Sequence, residues 1–465
     1  MTNVERLAEF VVRASYDDVS AAARSQLKIH VLDSLGCAIG AARAAPVRLV
    51  REQIEEFDRD GSCSMIGAGR ANPGGATFYN GALIRYLDYN DSYLAKGESC
   101  HPSDNLSGVL AATEYAGGRG RDAMVALAVA YQVQCRLSDE APVRARGFDH
   151  TTQGAYAAAA GVSRALGLDA TATANAIAIS GTAFNGLRVS RTGALSHWKG
   201  LAYPHMAAGC VRAAFLARRG ITGPREVFEG NKGFMDSIAG RFEIDWDRED
   251  LERVTRTVIK RHNAEIHAQT AIDAALALRQ HFHFIPLEVD RIDVDVFDVA
   301  YKIIGGGEEG DKSIVGTKEQ ADHSLPYLIA VAVLDGEVSP RQFNAERILR
   351  PDVQQLLCRV SVHSTSAYSQ RFPNEMPARV AIRLRDGRTL SREVAEYAGL
   401  NGSPATWEDV VRKFHRLSGD WATREERDAI VEVVQDLEHH RVCDLMRLLA
   451  NLGTPVGRPA SAGRA

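Results

Sequence analysis

The sequence predicts a mainly α-helical protein in which a large all-helical domain is followed by a smaller α+β domain. Apolar residues recur every three or four positions from about residue 4 to residue 240. The period changes to two near residue 290, and helical periodicity returns after residue 401. A chain of 465 residues is also too long for one ordinary hydrophobic core, so we expect two unequal domains.

The all-helical domain is predicted to cover residues 1–270. Leu32, Leu35 and Ile39 are spaced to lie on one helix face, and the nearly all-apolar residues 123–131 predict a buried helix. Residues 155–179 are rich in alanine, which lets helix axes approach closely. We interpret this stretch as core packing.

The α+β domain is predicted over residues 271–400. Ile292, Val294 and Val296 alternate with charged residues, as a half-buried strand requires. Residues 359–363 show the same alternation, and residues 380–391 predict two strands joined by a tight turn at Asp386-Gly387. Helices are predicted between these strands, at residues 325–334 and 340–349.

The last part of the sequence returns to a helical pattern. Residues 407–449 are amphipathic, and we expect them to pack back on the first domain, so that residues 401–450 complete it. Residues 451–465 are rich in glycine, proline and arginine and are expected to form a flexible tail.

Composition excludes several function classes. A net charge of -4 offers no basic surface for nucleic acid, and no apolar run approaches the span of a bilayer. The N-terminus has no basic segment leading into an apolar core, so we expect a cytoplasmic protein. The seven cysteines include no C-x-x-C pair, which argues against a zinc ribbon and an iron–sulfur centre. We expect a small-molecule partner, no metal and no cofactor.

The densest polar cluster lies within residues 86–105. Asp88 and Asp91 are three residues apart, so they share a face if they lie at a helix end. His101 is followed by a proline that fixes the start of the next helix. A carboxylate beside an imidazole is suited to acid–base catalysis. The alternative is a set of ordinary helix-start residues beside a surface histidine.

Two further clusters carry groups suited to carboxylates. His150 and Thr151 immediately precede an alanine-rich helix, whose N-terminus favours an anion, although a simple helix cap explains them equally well. Arg188, Arg191 and Lys199 follow in a polar segment. Arginine pairs with carboxylates in a bidentate manner and lysine supplies a point charge, but a basic loop by itself is usually only solvated.

The last two clusters stand at the starts of helices predicted in the second half of the chain. Lys260, Glu265 and His267 precede one of them, and Tyr327 follows an Asp-His pair near the start of another. A glycine run at residues 305–307 lacks the spacing and the strand–turn–helix context of a dinucleotide-binding loop.

In this order, the five clusters resemble the MmgE/PrpD family. The matching motifs are Leu87-Asp-Tyr-Asn-Asp, His101-Pro-Ser-Asp-Asn-Leu, Gly147-Phe-Asp-His, Lys199 with Ala214-Phe-Leu-Ala, Ala264-Glu-Ile-His-Ala-Gln and Ala321-Asp-His-Ser-Leu-Pro-Tyr. Each motif is weak alone, but the ordered set over residues 4–400 is specific. The family's site residues fall on Asp88, Ser92, His101, His150, Lys199, Lys260 and Tyr327. Asn263 replaces a frequent proline and Lys318 a frequent arginine.

The resemblance implies a helical domain, an α+β lid, a homodimer and an active site in the cleft between the domains. Known activities of the family include 2-methylcitrate dehydratase, cis-aconitate decarboxylase and an iminodisuccinate epimerase, none of which uses a redox cofactor. The combination of Tyr-Asn-Asp with His-Pro-Ser-Asp-Asn-Leu is more similar to the dehydratases. We therefore expect dehydration of 2-methylcitrate, with decarboxylation of cis-aconitate or another polycarboxylate reaction as the alternative.

Dehydration without a metal requires a base, an acid and cations that stabilise charge beside a carboxylate. We expect Lys199 and Lys260, helped by Arg188 or Arg191, to hold the substrate. We expect His101 and His150 to carry out proton transfer, Asp88 to orient an imidazole, and Tyr327 to donate a hydrogen bond. The residues expected to contact the substrate are Asp91, Ser92, Glu265 and His267. Which histidine is the base stays open. A non-catalytic carboxylate-binding protein is the alternative from another class, and the lack of metal-ligand spacing disfavours a metal-dependent hydrolase.

Overall fold

The computed structural model describes residues 1–57, 61–397 and 404–453. Within these residues the protein is mainly helical and contains two large hydrophobic cores and a small third cluster of Tyr93, Ala95, Cys100 and Cys135. The high helical content and the smaller sheet confirm the predicted fold class. One core joins apolar side chains from residues 4–259 with others from residues 410–452, and the second core lies within residues 258–397. The domain boundaries at residues 270 and 400 stay a prediction.

The first core is built mainly by helices α1 to α9. Their bounds are Asn3–Arg13, Ala21–Gly40, Ala45–Phe57, Pro73–Tyr86, Leu106–Tyr115, Gly120–Glu140, Thr151–Ala165, Ala170–Ala183 and Trp198–Arg218. Side-chain caps begin several of them: Asn72, for example, accepts a hydrogen bond from the backbone N–H of Gly75 at 2.8 Å. Helix α7 packs closely on α9, since a Cβ atom added to Gly154 would lie 2.4 Å from the ring of Tyr203. The small residues of α7 are therefore core packing, as predicted.

Two short strand pairs lie between the helices of the first part of the chain. Strand β1 (Cys63–Met65) pairs with β2 (Gly69–Ala71), and β3 (Tyr93–Leu94) pairs with β4 (Ser99–Cys100), both antiparallel. Strands of two or three residues are too short to show an alternating pattern. The second pair matters for the site, because it brings the residues before β3 beside those after β4.

The second core is formed around a mixed sheet. Strands β5 (Val289–Val296), β6 (Val360–Ser364), β7 (Ala378–Leu384) and β8 (Thr389–Val394) are arranged in the order β6–β5–β7–β8. Strand β5 runs parallel to β6 and antiparallel to β7. The alternating residues Ile292, Val294 and Val296 are fully buried, and β7 and β8 form the predicted hairpin, with Gly387 at φ +90° in the turn.

Helices α10 to α16 surround this sheet. Their bounds are Gln269–Phe282, Asp298–Ile304, Lys318–Ala321, Leu325–Asp335, Ala345–Ile348, Pro351–Leu357 and Ser366–Ser369. The helix predicted over residues 340–349 is instead a 3-10 turn, Pro340–Phe343, followed by the short α14. Asn344 separates them because its backbone is extended, with φ -71° and ψ 140°.

The C-terminal helices pack on the first core. Helices α17 (Trp407–Ser418), α18 (Arg424–Gln435) and α19 (Val442–Ala450) contribute fully buried side chains such as Phe414 and Leu445. Phe414 lies against α2, where a Cβ atom added to Gly36 would be 3.2 Å from its backbone. Residues 454–465 of the predicted flexible tail lie outside the described residues. Within the described ranges, no helix has both the length and the apolar composition needed to span a membrane.

Candidate active site

Asp88 lies directly after helix α4 and is the centre of a buried group of charges. Its carboxylate lies 2.7 Å from Arg85 Nη1, 3.0 Å from Lys199 Nζ and 2.8 Å from Lys260 Nζ. Burial raises the pKa of Asp88, but the three cations outweigh it and hold this pKa well below its usual range. Asp88 is therefore an ionised anchor for the cations and not a proton donor.

The backbone of Asp88 takes the left-handed conformation, with φ +56°. This conformation costs free energy for a residue with a Cβ atom and persists only where the surroundings impose it. Lys260 Nζ donates to both the carbonyl oxygen and the carboxylate of Asp88 at 2.8 Å, and so holds both the backbone and the side chain of this residue. Nearby, Asn263 donates a hydrogen bond to the carbonyl of Leu87, so the residue that replaces the frequent proline holds the same loop.

The charge network continues into the sheet-containing part of the protein. Lys199 Nζ also lies 2.6 Å from Asp322 Oδ1, and Lys318 Nζ lies 2.7 Å from Asp322 Oδ2. His323 Nδ1 is 2.8 Å from Asp322 Oδ1. Burial and the neighbouring Lys199 lower the pKa of His323 to about 4, so this imidazole is neutral at pH 7. Lys199, from helix α9, thus joins the helical part to residues 318–323.

Atoms of Asp88, Asp322 and His323 lie within 4.8 Å of one another, a separation at which such groups hold metal ions. Lys199 Nζ, however, lies within 3.0 Å of one carboxylate and 2.6 Å of the other. Burial lowers the pKa of Lys199, and its amine lies between the two acids, so a divalent ion in the same position would have to displace it.

His101 follows strand β4 and is held in one tautomer. Its Nδ1 lies 2.6 Å from the carbonyl oxygen of Asp91 and 3.1 Å from Ser92 Oγ. Because a carbonyl oxygen only accepts hydrogen bonds, Nδ1 carries the proton and Nε2 keeps its lone pair. Burial, with Arg85 and Lys260 nearby, lowers the pKa of His101 well below its ordinary value of 6.5. His101 is therefore a neutral imidazole whose Nε2 is available to accept a proton.

His150 lies at the N-terminus of helix α7, beside His101. The two ring centroids are 5.3 Å apart in an edge-to-face arrangement, and His150 Nδ1 is 3.3 Å from Asp149 Oδ1. Its Nε2 is buried and makes no hydrogen bond to any described residue, the nearest carboxylate oxygen, Asp104 Oδ2, being 3.9 Å away. Buried polar atoms are normally paired, so these groups are arranged to receive a further polar group.

The two arginines predicted to clamp the substrate are already paired with acids. Arg191 Nε lies 3.1 Å from Asp149 Oδ1, and Arg188 lies 3.3 Å from Asp149 and 2.5 Å from Glu309. The pKa of Asp149 is well below its usual range, because Arg191, His150 and Arg188 outweigh the effect of burial. The geometry does not support the expectation that these arginines hold the substrate, and it gives them the role of fixing Asp149 and Glu309.

Asp88 and Asp91 do not share a face, contrary to the expectation from their spacing. Helix α4 has ended before them, and the Asp91 carboxylate turns to Ser103 Oγ at 2.6 Å, Tyr131 Oη at 2.7 Å and His30 Nδ1 at 3.0 Å. It is fully buried and has no free position for a substrate. Its contribution to the site is the backbone carbonyl that orients His101.

The other predicted residues differ in whether they are connected with this charge network. Glu265 Oε1 is 2.6 Å from His267 Nδ1, and this pairing outweighs burial and lowers the pKa of Glu265 to about 2. The Glu265 backbone N–H donates to the carbonyl of Asp322, which connects the pair with the network. Tyr327 does not join it, because its buried hydroxyl donates to the carbonyl of Gln342 inside the second core.

Several charged residues of the site were not among those predicted. Arg85 and Asp322 contact the predicted group directly, and Asp149 and Glu309 pair with the predicted arginines. Arg85 precedes Asp88 by three residues, and this spacing is a signal in the sequence that indicates an ion pair. Sequence spacing carried no comparable signal for Glu309, which lies 121 residues from its partner.

A cavity of about 340 Å³ lies near this group, although His101, His150, Lys199 and Lys260 are not among its described lining residues. Its lining includes Ser99, which comes two residues before His101, together with Arg188, Glu309 and His267. Residues within 95–192 and within 267–372 both contribute to it, so the cavity lies between the helical part and the sheet-containing part of the chain. Its volume is within the range of small-molecule sites.

Comparison with known proteins matches the chain along nearly its whole length. A family model described as the MmgE/PrpD N-terminal domain matches residues 5–247, and one described as the MmgE/PrpD C-terminal domain matches residues 262–439. A cis-aconitate decarboxylase of Mus musculus is 25% identical over 453 residues, covering 91% of this chain and 88% of that protein. A 2-methylcitrate dehydratase of Cupriavidus necator is 26% identical over 420 residues, covering 84% of each chain. A 2-methylcitrate dehydratase of Escherichia coli K12 is 26% identical over 352 residues, covering 70% and 71%.

Proposed function

Because this chain belongs to the MmgE/PrpD family, we propose that it is a lyase that dehydrates a small 3-hydroxytricarboxylate, with 2-methylcitrate as the substrate. The observation that carries the proposal is His101, a neutral imidazole with a fixed tautomer near the buried cations Arg85 and Lys260. Removing a proton from carbon beside a carboxylate requires such a base and such cations.

In the proposed reaction, His101 Nε2 accepts the carbon-bound proton and a carbon–carbon double bond forms. The carbon–oxygen bond breaks, its electron pair leaves with the hydroxyl group, and a proton from His150 completes a water molecule. Asp149, 3.3 Å from His150 Nδ1, orients that ring. Lys199 and Lys260 stabilise the negative charge that grows on the substrate carboxylate.

Decarboxylation of cis-aconitate is the second candidate. The match to the decarboxylase of Mus musculus covers 91% of this chain, more than the 84% covered by the dehydratase of Cupriavidus necator. Loss of carbon dioxide also places negative charge on carbon beside carboxylates and then protonates it, so the same cations and the same histidines serve both reactions.

We also propose that the protein is a homodimer. Leu187, Val189 and Trp198 are 60%, 71% and 46% exposed, and they lie close together in sequence around the start of helix α9. Apolar side chains grouped on a surface are typical of an interface. Light scattering on the eluting protein gives the molar mass directly, and the value of one 50.5 kDa chain contradicts the proposal.

The experiment that tests the reaction compares 2-methylcitrate, citrate and cis-aconitate as substrates for chelator-treated protein. The ultraviolet absorbance of a conjugated product and the release of carbon dioxide are followed together. We expect absorbance to rise with 2-methylcitrate, to be lost in His101→Asn and to persist in His281→Asn, an exposed histidine on helix α10 that serves as the matched control. Carbon dioxide from cis-aconitate supports the second candidate. Thermal stabilisation by these ligands without any product supports a non-catalytic binding protein.

A further inference from the structure

Arg144 is an arginine without an acidic partner in a site where the other arginines are paired. It begins the 3-10 turn Arg144–Arg146, six residues before His150, and lines the cavity of about 340 Å³. Within residues 1–57, 61–397 and 404–453, its guanidinium makes no hydrogen bond or ion pair, and its Nε atom is buried. The residue as a whole is only partly buried, but an unpaired buried polar atom such as this Nε is costly and requires an explanation.

The acids near Arg144 are engaged elsewhere. Glu98 accepts a hydrogen bond from the backbone N–H of Arg144 at 2.9 Å and leaves the side chain of Arg144 unpaired. Glu309 accepts from Arg188 at 2.5 Å, and Glu265 is paired with a histidine at 2.6 Å. Burial, together with the neighbouring Arg188, lowers the pKa of Arg144. The side chain thus lies in an environment that disfavours its charge until an anion arrives.

We propose that Arg144 binds one carboxylate of the substrate at the mouth of the site and so sets the preference for tricarboxylates over dicarboxylates. This inference rests on the proposed function and adds a specificity-determining residue to it. Arginine presents two parallel N–H groups to a carboxylate, a geometry that the free guanidinium is able to complete. Arg188, which sequence reasoning assigned to this task, is held by Asp149 and Glu309 instead.

The rest of the cavity carries charges of both signs and an apolar side. Lys96 lines it as a further cation, while Lys302 is paired with Asp298 at 2.8 Å and the acids Glu98, Glu308 and Glu309 also line it. Ile303 and Phe372 give it an apolar side. Because the acids repel a carboxylate from much of the lining, a small carboxylate ligand would place its charge at Arg144 and its carbon atoms against the apolar side chains.

The test measures the binding of two ligands that lack both the hydroxyl group and the double bond of the reaction. Propane-1,2,3-tricarboxylate is the probe, and glutarate has one carboxylate fewer. Arg144→Gln removes the charge, and Arg144→Lys keeps the charge but not the two parallel N–H groups. Arg146 is exposed in the same turn, so Arg146→Gln is the matched control. Kd is measured by calorimetry. We expect Arg144→Gln to weaken binding of the tricarboxylate by about tenfold to a hundredfold and Arg146→Gln to change it less than about twofold. Arg144→Lys should recover part of the affinity.

A second measurement distinguishes binding from a purely structural role. Because the charge of Arg144 is unpaired without ligand, we expect ligand-free Arg144→Gln to melt at the same temperature as the wild type or higher. A fall of several degrees, or a tricarboxylate Kd within twofold of the wild type, overturns the proposal. So does wild-type protein that binds the two ligands equally well.

Turnover of 2-methylcitrate and cis-aconitate on the same preparations separates this proposal from the proposed function. If the wild type turns over neither compound but the tricarboxylate Kd depends on Arg144, the reaction is wrong and the role of Arg144 stands. If the wild type is active and Arg144→Gln binds the tricarboxylate normally, the reaction stands and the role of Arg144 is wrong.

Discussion

Replacing Lys413 by methionine is expected to destabilise the protein and to disturb the backbone that positions the active-site residues. Lys413, on helix α17, lies 2.7 Å from Asp33 on helix α2, and the two side chains are only 7% and 1% exposed. Its Nζ also donates to the carbonyls of Tyr89 at 2.7 Å and Lys260 at 3.0 Å, which are next to or within the group around Asp88. Methionine keeps the length of the side chain and removes the charge.

The magnitude follows from the charge that is left behind. Removing one partner of a buried ion pair costs about 3–5 kcal/mol, because the other charge stays buried and unpaired. Burial raises the pKa of Asp33 above its ordinary 3.8, and Lys413 lowers it, so the substitution raises this pKa further. A carboxyl group whose pKa is higher in the folded state than in the unfolded state lowers the free energy of unfolding of the protein as the pH rises above its unfolded pKa. The deficit of the variant is therefore largest at neutral pH and shrinks as the pH falls towards 3.8.

Urea unfolding followed by circular dichroism at one protein concentration measures this deficit. The double variant Asp33→Asn with Lys413→Met should recover most of the lost free energy, because no charge is left unpaired. Lys28→Met is the matched control, since its ion pair with Glu438 also joins α2 to the C-terminal segment but is 17% and 15% exposed; we expect it to cost less than about 1 kcal/mol. A loss below about 1 kcal/mol for Lys413→Met, or no recovery in the double variant, refutes the reasoning.

The remaining predictions concern the site. His101→Asn should lower kcat by at least about a hundredfold without changing the circular dichroism spectrum. Because the pKa of His101 is lowered, the acidic limb of kcat/KM in the wild type should lie below pH 6.5, and a limb above that value argues against His101 as the base. Tyr327→Phe should change kcat by less than about threefold, since the hydroxyl is bonded to Gln342, and a hundredfold loss would place it at the substrate instead. Dialysis against a chelator should leave activity unchanged, because Lys199 supplies the charge between Asp88 and Asp322; activity restored only by a divalent metal would contradict this.

Sequence periodicity was sufficient for the larger elements of the fold. The alternation in β5 and the hairpin turn at Gly387 were readable because each rests on residues close together in the chain. The pairing of β3 with β4 was not readable, since each strand has two residues. The broken helix at residues 340–349 was missed because a single extended residue, Asn344, divides it.

The site was predictable in its members but less so in their partners. Motif order located Asp88, Lys199 and Lys260, whose mutual contacts join positions 111 and 172 residues apart in the chain. The positive charges of Arg188 and Arg191 were visible in the sequence, but the acids that neutralise them were not. For the same reason Arg144, whose side chain has no partner among the described residues, had no signal in the sequence.

The way in which helices α17 to α19 complete the first core has a consequence for biosynthesis. Phe414 and Leu445 fill that core together with residues from the first 259 positions, so the core lacks part of its interior until they are made. At about 5–20 residues per second, a ribosome spends about 8–30 s on the intervening residues 260–410. Throughout this interval the nascent chain exposes the apolar surface of α2 that Phe414 later covers. A trigger-type or Hsp70-type chaperone bound to that surface would therefore protect the chain at the stage when it is most prone to aggregate.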